Sequence, residues 1–296
     1  MVLKERSFDT GEVALNYAEG PRNGPPFVVL HGGSGRWQYS EPFLALLSDT
    51  WHVYAPDFRG HGKSGRGRSG YRLTDYVRDL TAFLAGAVAR PAIVYGHSLG
   101  GEVAIKTAAN RPDLFSALII GDAPLSIDNQ ATEEPVHRAQ NELWHRLAGQ
   151  PVEIIIPALK DMLVRSSMDA PPRPAREFFG EAHPWFTHQA LSLHQLDPAM
   201  LHAVLQGPAY MLGDYNPLQM LPAITCPVLL LAADPRSGAV LQDQEIRLAL
   251  SLLPDATLVR LHGIGHPLHG SNPVQVLEAM TPFLDRVRTI LADGPM

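Results

Sequence analysis

Cysteine is almost absent. Cys226 stands alone in 296 residues, so no internal disulfide can form, and a reducing cytoplasm suits the chain. Its place just before a strand-like run marks it as a buried, inert thiol. Lysine and arginine form no basic run, and 24 of them against 30 acidic residues leave a net charge of −6, which argues against nucleic acid or an anionic membrane as partner. No segment reaches the ~18 consecutive apolar residues of a membrane span, and the first residues lack the apolar stretch of an export signal. The expectation is a soluble, cytoplasmic protein that takes a small-molecule substrate; a homodimer is compatible with it.

What the chain has in plenty is hydrophobic residues, 45%, punctuated by 25 glycines and 26 prolines. That composition fits one large core with many short connections. Arg6–Thr10 and Glu12–Ala18 flank a Thr-Gly turn and predict an antiparallel hairpin. Four runs then follow that are apolar on both faces: Phe27–Leu30, "WHVYAPDF", Ala92–Tyr95 and Ala117–Ile120. They alternate with helical patterns over Glu41–Leu47, Thr74–Ala89 (with Thr74 as N-cap) and Gly100–Asn110, the rhythm of a mostly parallel, doubly covered sheet. From about Pro124 to Pro222 the rhythm stops. Helical patches such as Glu133–Leu147 and Val152–Val164 alternate there with Pro-rich loops. It resumes with "CPVLLLAAD", a helix over Asp243–Leu253, the strand "ATLVRLHG" and a last helix over Pro273–Leu291. The fold class expected is α/β, with eight strands. The core comprises 1–123 and 223–296, and 124–222 is a helical cap inserted between strands 6 and 7.

Three glycine-rich turns fall at the C-terminal ends of predicted strands. In "GHSLGG" Ser98 sits between Gly96 and Gly100 where a strand gives way to a helix. A serine hydroxyl becomes a useful nucleophile when it is exposed, aligned with a base and backed by donors for an oxyanion, and a sharp strand-to-helix turn provides for all three. The bland alternative is a helix entry with Ser98 as N-cap. In "LHGGSG" the backbone can aim a second donor at the oxyanion; Gly33 is nominated with Leu99, and Ser34 as substitute for Gly33. His31 in this loop reads as an organiser of the turn. In "HGIGHPLHG" His266 is the candidate base, His269 a neighbour of the pocket, and His262 is assigned to the strand. A metal site is the rival reading of these histidines, but no His/Glu helix pair or cysteine partner supports it. We therefore expect no metal and no cofactor.

The acid has two candidates at strand ends, Asp234 in "LLLAADPRSGAV" and Asp122 in "LIIGDAPL". Either would orient the second nitrogen of His266; Asp234 is placed first, with Asp122 as alternative.

Together these segments resemble the α/β-hydrolase superfamily, its capped serine hydrolases in particular, over nearly the whole chain. "HGGSG" is similar to the family's oxyanion loop, "DFRGHGKS" to its turn after the fourth strand, "GHSLGG" to its nucleophile elbow and "GIGH" to its histidine loop. The resemblance implies a serine esterase or lactonase working through an acyl-enzyme on Ser98. It departs at the acid: the usual register after the penultimate strand falls on Arg236, whereas members that carry the acid after the strand preceding the cap would use Asp122. Serine at the elbow argues against halide or epoxide chemistry with an aspartate nucleophile. Amidase, carbon–carbon bond hydrolase, cofactor-free perhydrolase or haloperoxidase, and a non-catalytic ligand-binding protein on the same fold stay as alternatives. Trp144, Trp185, Phe186 and Tyr210 of the cap are the candidate pocket residues, against the alternative that they only pack the cap helices.

Overall fold

In the computed structural model residues 3–125, 135–165 and 170–293 are described. Strands β1 (Lys4–Asp9) and β2 (Ala14–Glu19) form the antiparallel hairpin. β3 (Pro26–Leu30), β4 (His52–Pro56), β5 (Ala92–His97) and β6 (Phe115–Gly121) follow, separated by helices α1 (Glu41–Leu47), α2 (Leu73–Phe83) and α3 (Leu99–Asn110). α2 starts one residue earlier than its pattern suggests, because the Asp75 carboxylate accepts the Arg72 N–H and makes Arg72, not Thr74, the cap.

After β6 the chain leaves the sheet. It forms α4 (Pro135–Leu147), α5 (Val152–Asp161), a two-residue ladder of β7 (Leu163–Val164) and β8 (Arg173–Pro174), then α6 (Ala175–Phe179), α7 (Pro184–Gln195), α8 (Pro198–Leu205), α9 (Pro208–Leu212) and α10 (Pro217–Met220). Glu133 and Glu134, which open the first expected helical patch, lie outside the described residues. The sheet resumes with β9 (Val228–Ala232), α11 (Asp243–Leu252) and β10 (Ala256–Arg260), and the chain continues through α12 (Leu268–Ser271) and α13 (Pro273–Asp293). Pairing follows the order β1-β2-β4-β3-β5-β6-β9-β10, parallel from β4 onward.

The apolar runs become central strands because both faces are covered. On β3, Val28 and Leu30 belong to one buried apolar cluster with Tyr76, Leu80 and Val103 of α2 and α3, while Phe27 and Val29 belong to the other with Phe43, Leu47, Phe283 and Leu284 of α1 and α13. Each such buried aliphatic contributes ~1.5–3 kcal/mol. Strand order reverses between β3 and β5, so their loops diverge and leave a crevice at the C-terminal edge, where open α/β sheets take ligands. The loop after β3 and Ser98 after β5 both lie there. Among the described residues no helix is long and apolar enough to cross a membrane.

Buried imidazoles tie the loops of this edge together. His31 Nδ1–H donates to Gly32 O (2.7 Å) and its Nε2 accepts from Phe58 N–H (3.0 Å), linking the loops after β3 and β4. His61 Nδ1–H donates to Arg59 O. His269 is hydrogen-bonded to Ser40 Oγ and Tyr95 Oη. Burial pushes His31 down to about 4 and His61 and His269 to about 3, so all three are neutral at pH 7.

The helical excursion is fastened to the same edge. Asp197 N–H donates to Gly60 O (2.8 Å), and the Asp197 carboxylate accepts from Tyr71 Oη (2.5 Å) while capping α8 through Ala199 N–H. On the other flank Lys106 of α3 pairs with Asp214.

Two outcomes follow from these contacts. The buried histidines bind fewer protons folded than unfolded, so their contribution is complete above the unfolded value of about 6.5 and is lost as pH falls toward 4; the unfolding free energy from denaturant titration should be lower at pH 4.5 than at pH 7.5, by on the order of 2 kcal/mol for each of them. Replacing His269 with Gln should flatten that slope. Tyr71→Phe removes a hydrogen bond to a charged group and should speed amide exchange across Asp197–Leu201 by ~10-fold or more, with exchange in β5 unchanged.

Candidate active site

The elbow is built by missing side chains. A Cβ on Gly96 would lie 2.3 Å from Gly100 O, one on Gly100 would lie 2.7 Å from Leu30 O, and one on Gly101 would lie 2.5 Å from the Ala123 methyl. Helix α3 can therefore leave β5 at once, and Ser98 takes the whole turn at φ 52°, ψ −121°. Such a conformation costs a non-glycine residue ~1–3 kcal/mol. It is held by Ser98 N–H to Gly121 O, and by Gly101 and Glu102 N–H to Ser98 O.

His266 Nε2 stands 3.1 Å from Ser98 Oγ, and His266 Nδ1 stands 2.7 Å from Asp122 Oδ2. Because a carboxylate only accepts, the proton of the ring is on Nδ1, which leaves Nε2 free to receive the serine proton. Asp122 is fully buried. Its oxygens also accept the N–H groups of Ala233, Val240 and Leu241, the satisfaction a buried carboxylate requires.

The preference for Asp234 is thus corrected. Its carboxylate accepts Arg236 N–H and Gly263 N–H (both 2.9 Å), which hold it below the usual carboxylate range, and it caps the turn after β9. Asp234 fastens the strand-end loop to the turn after β10; Asp122 is the carboxylate on the imidazole. His262 lies beyond the end of β10 and is exposed, rather than within the strand.

The turn after β3 is closed by Gly35 N–H to Gly32 O, with Ser34 at φ 55°. A Cβ on Gly32 would lie 3.3 Å from Ser98 Cβ, so this turn touches the nucleophile. Gly33 follows, exposed, and the hydroxyl of Ser34 is turned back to Gly33 O. Leu99 is the first residue of α3, where an amide needs no intrahelical acceptor.

The four aromatic candidates have other surroundings. Trp185 stacks on Phe179 at 5.1 Å, and Phe186 packs edge-on to both, joining α6 to α7. Tyr210 is 41% exposed beneath the Arg72 guanidinium. Trp144 is partly buried against the core, its Nε1–H without a protein acceptor among the described residues. The excursion residues that reach the oxyanion loop are ones the sequence pattern did not single out. Met200 Cε lies 3.9 Å from where a Gly33 Cβ would be, and Gln189 Nε2 is 3.5 Å from Ser34 Oγ. Neither carries a motif; only the folding of α7 and α8 over the turn reveals them.

Among the described residues no group of three or more His, Cys, Asp and Glu side chains could hold a metal ion. Cys226 is partly buried, its thiol pushed up to about 11 by burial, and stays protonated at neutral pH.

The profile of the alpha/beta hydrolase family matches residues 27–279. A 2-(acetamidomethylene)succinate hydrolase of Mesorhizobium japonicum is 27% identical over 280 residues, covering 95% of each chain. Among solved structures, a putative lipase from Acinetobacter baumannii AYE superposes with a TM-score of 0.73 at 21% identity, over 97% of this chain and 92% of the other. An N-formylmaleamic acid deformylase from Pseudomonas putida S16 gives 0.71 at 20% identity, over 94% and 100%. These two likenesses show the shared fold, and the profile match, together with the sheet order and the elbow, assigns the chain: it belongs to the alpha/beta hydrolase family.

Proposed function

We propose that the protein is a serine hydrolase that cleaves a carboxylic ester or lactone of a small, largely apolar substrate through an acyl-enzyme on Ser98. The observation that carries this reading is the continuous chain Ser98 Oγ, His266 Nε2, His266 Nδ1, Asp122 Oδ2 at 3.1 and 2.7 Å. Ser98 Oγ attacks the acyl carbon as its proton passes to His266 Nε2. Asp122, kept in register by three backbone amides, steadies the imidazolium. The Leu99 and Gly33 amides receive the oxyanion, and His266 then returns the proton to the leaving oxygen. Water, deprotonated by the same base, releases the acid and restores Ser98. The excursion over 124–222 acts as a cap in this scheme, with Met200 and Gln189 against the oxyanion loop setting the size and polarity of the acyl group.

A second reading, amide hydrolysis by the same machinery, is favoured by the near full-length similarity to a hydrolase named for an acetamido substrate. The two share every step to the acyl-enzyme and differ only in whether the leaving atom that His266 protonates is oxygen or nitrogen.

Replacing Ser98 with Ala should lower turnover of an aryl acetate by several orders of magnitude and abolish stoichiometric labelling by an aryl phosphonate; labelling elsewhere with normal turnover in that variant would falsify the assignment. A comparison of aryl acetate with aryl acetamide on the wild type distinguishes ester from amide preference.

The two aspartates give a sharper contrast. Asp122→Asn should cost roughly 10³- to 10⁴-fold in kcat by presenting the wrong imidazole tautomer, as loss of the acid does in a Ser-His-Asp triad. Asp234→Asn should lower the melting temperature while kcat stays near wild type. Equal kcat losses in the two variants would count against the division of roles.

A further inference from the structure

The residue before the nucleophile, His97, is not used by the mechanism above, yet its side chain fastens the backbone of the base itself to the nucleophile strand, beside the Tyr95–His269 bond that holds the chain three residues further on. We propose that His97 is a positioning residue for the base: its Nε2–H grips the main chain of His266 and its ring backs the His266 imidazole, which fixes the direction in which His266 faces Ser98. The inference rests on the hydrolase reading for its kinetic consequence, but its geometric content stands apart from turnover.

Four observations meet at this side chain. His97 Nε2 lies 2.7 Å from the carbonyl oxygen of His266, and since a carbonyl only accepts, the ring donates from Nε2 and leaves Nδ1 bare. The two imidazoles are in contact at a centroid distance of 4.8 Å, their planes tilted by 38°. On the opposite side a Cβ on Gly32 would come within 3.0 Å of His97 Nδ1, so the ring fills the space between the oxyanion turn and the base loop. His97 also ends β5, paired in the sheet with Gly121 beside Asp122.

The base loop needs such a support. β10 ends at Arg260, and the Gly263-Ile264-Gly265 turn that precedes His266 contains two residues without side chains. The His266 carbonyl accepts from Leu268 N–H inside the loop and from His97 outside it. The His97 bond is a direct tie from the backbone of the base to the strand that carries Ser98. The ring must also stay uncharged to do this beside an imidazolium; burial, with His266 and His269 as neighbours, holds His97 well below the ordinary histidine value.

The test separates donor from shape. His97→Gln keeps an N–H donor, whereas His97→Met and His97→Phe fill the space without one. Proton NMR of the folded full-length protein should show, in the wild type, a low-field resonance from His266 Nδ1–H on Asp122. That resonance should move upfield or broaden in the Met and Phe variants and persist in the Gln variant. In parallel, kcat for an aryl acetate should fall by up to about 100-fold in the variants without a donor, the cost of misdirecting a reacting group by about an ångström. KM should hold, and the Gln variant should recover most of the loss. Unshifted resonances and wild-type kcat in a folded Met or Phe variant overturn the proposal, as does a Gln variant no better than Met. A wild type that neither turns over nor takes up phosphonate removes the hydrolase reading alone, since the resonance still reports whether His97 holds His266.

Discussion

The missing Cβ atoms at Gly96, Gly100 and Gly101 are the constraint on which the site depends. They bring the first turn of α3 against the end of β5 and against Leu30 of the neighbouring strand, and no side chain larger than hydrogen fits between those backbones. Ser98 is left to make the whole change of direction in a conformation that residues with a side chain rarely adopt. Around it β5 and α3 up to Ala108 are buried, and that burial offsets a local strain of ~1–3 kcal/mol many times over. The strain thus costs the fold little and places Oγ where the loops after β3, β6 and β10 converge.

Of those loops, the one after β6 carries the charge. A carboxylate out of contact with water is tolerable only when its lone pairs are occupied, and Asp122 meets that condition with three amides of residues 233–241 and one imidazole nitrogen. The segment after β9 therefore wraps around Asp122, and Asp234 at its start braces it by accepting the Gly263 amide of the next loop. Two aspartates at adjacent strand ends divide the work: one orients the base, the other holds in place the loop that solvates the first.

This division explains what was legible in the sequence. Gly-His-Ser-Leu-Gly and His-Gly-Gly-Ser-Gly are read from residues a few positions apart, because the steric demand on each glycine comes from the same turn or the strand beside it. The sheet was legible for a similar reason, since runs such as Phe27–Leu30 and Val228–Ala232 must be covered on both faces wherever they pair. The choice between Asp122 and Asp234 was not, because both end buried strands in similar local settings and differ only in which long-range amides reach them. The same holds for the excursion: Trp185 and Phe186 pack against Phe179 and Lys160, whereas Met200 and Gln189 approach the oxyanion turn through helices whose placement the pattern of apolar residues does not encode.

The histidines of this edge show how a fold rich in imidazoles can present a single base. His31, His61, His97, His266 and His269 make up an array of two contact groups, with centroids 5.1 Å apart for His31 and His61, and 4.8 Å for His97 and His266 and 5.5 Å for His97 and His269 in the other. Among the described residues only His266 of this array is bonded to a carboxylate. The other four are buried, and burial holds each of them neutral. Their neutrality matters to His266, because a cation five ångströms away in a medium of low dielectric would oppose the proton it has to accept. Burial thus turns four histidines into uncharged hydrogen-bonding struts for the loops, and the fifth ring, paired with Asp122 and with 30% of its side chain exposed, is the one of the five that faces Ser98.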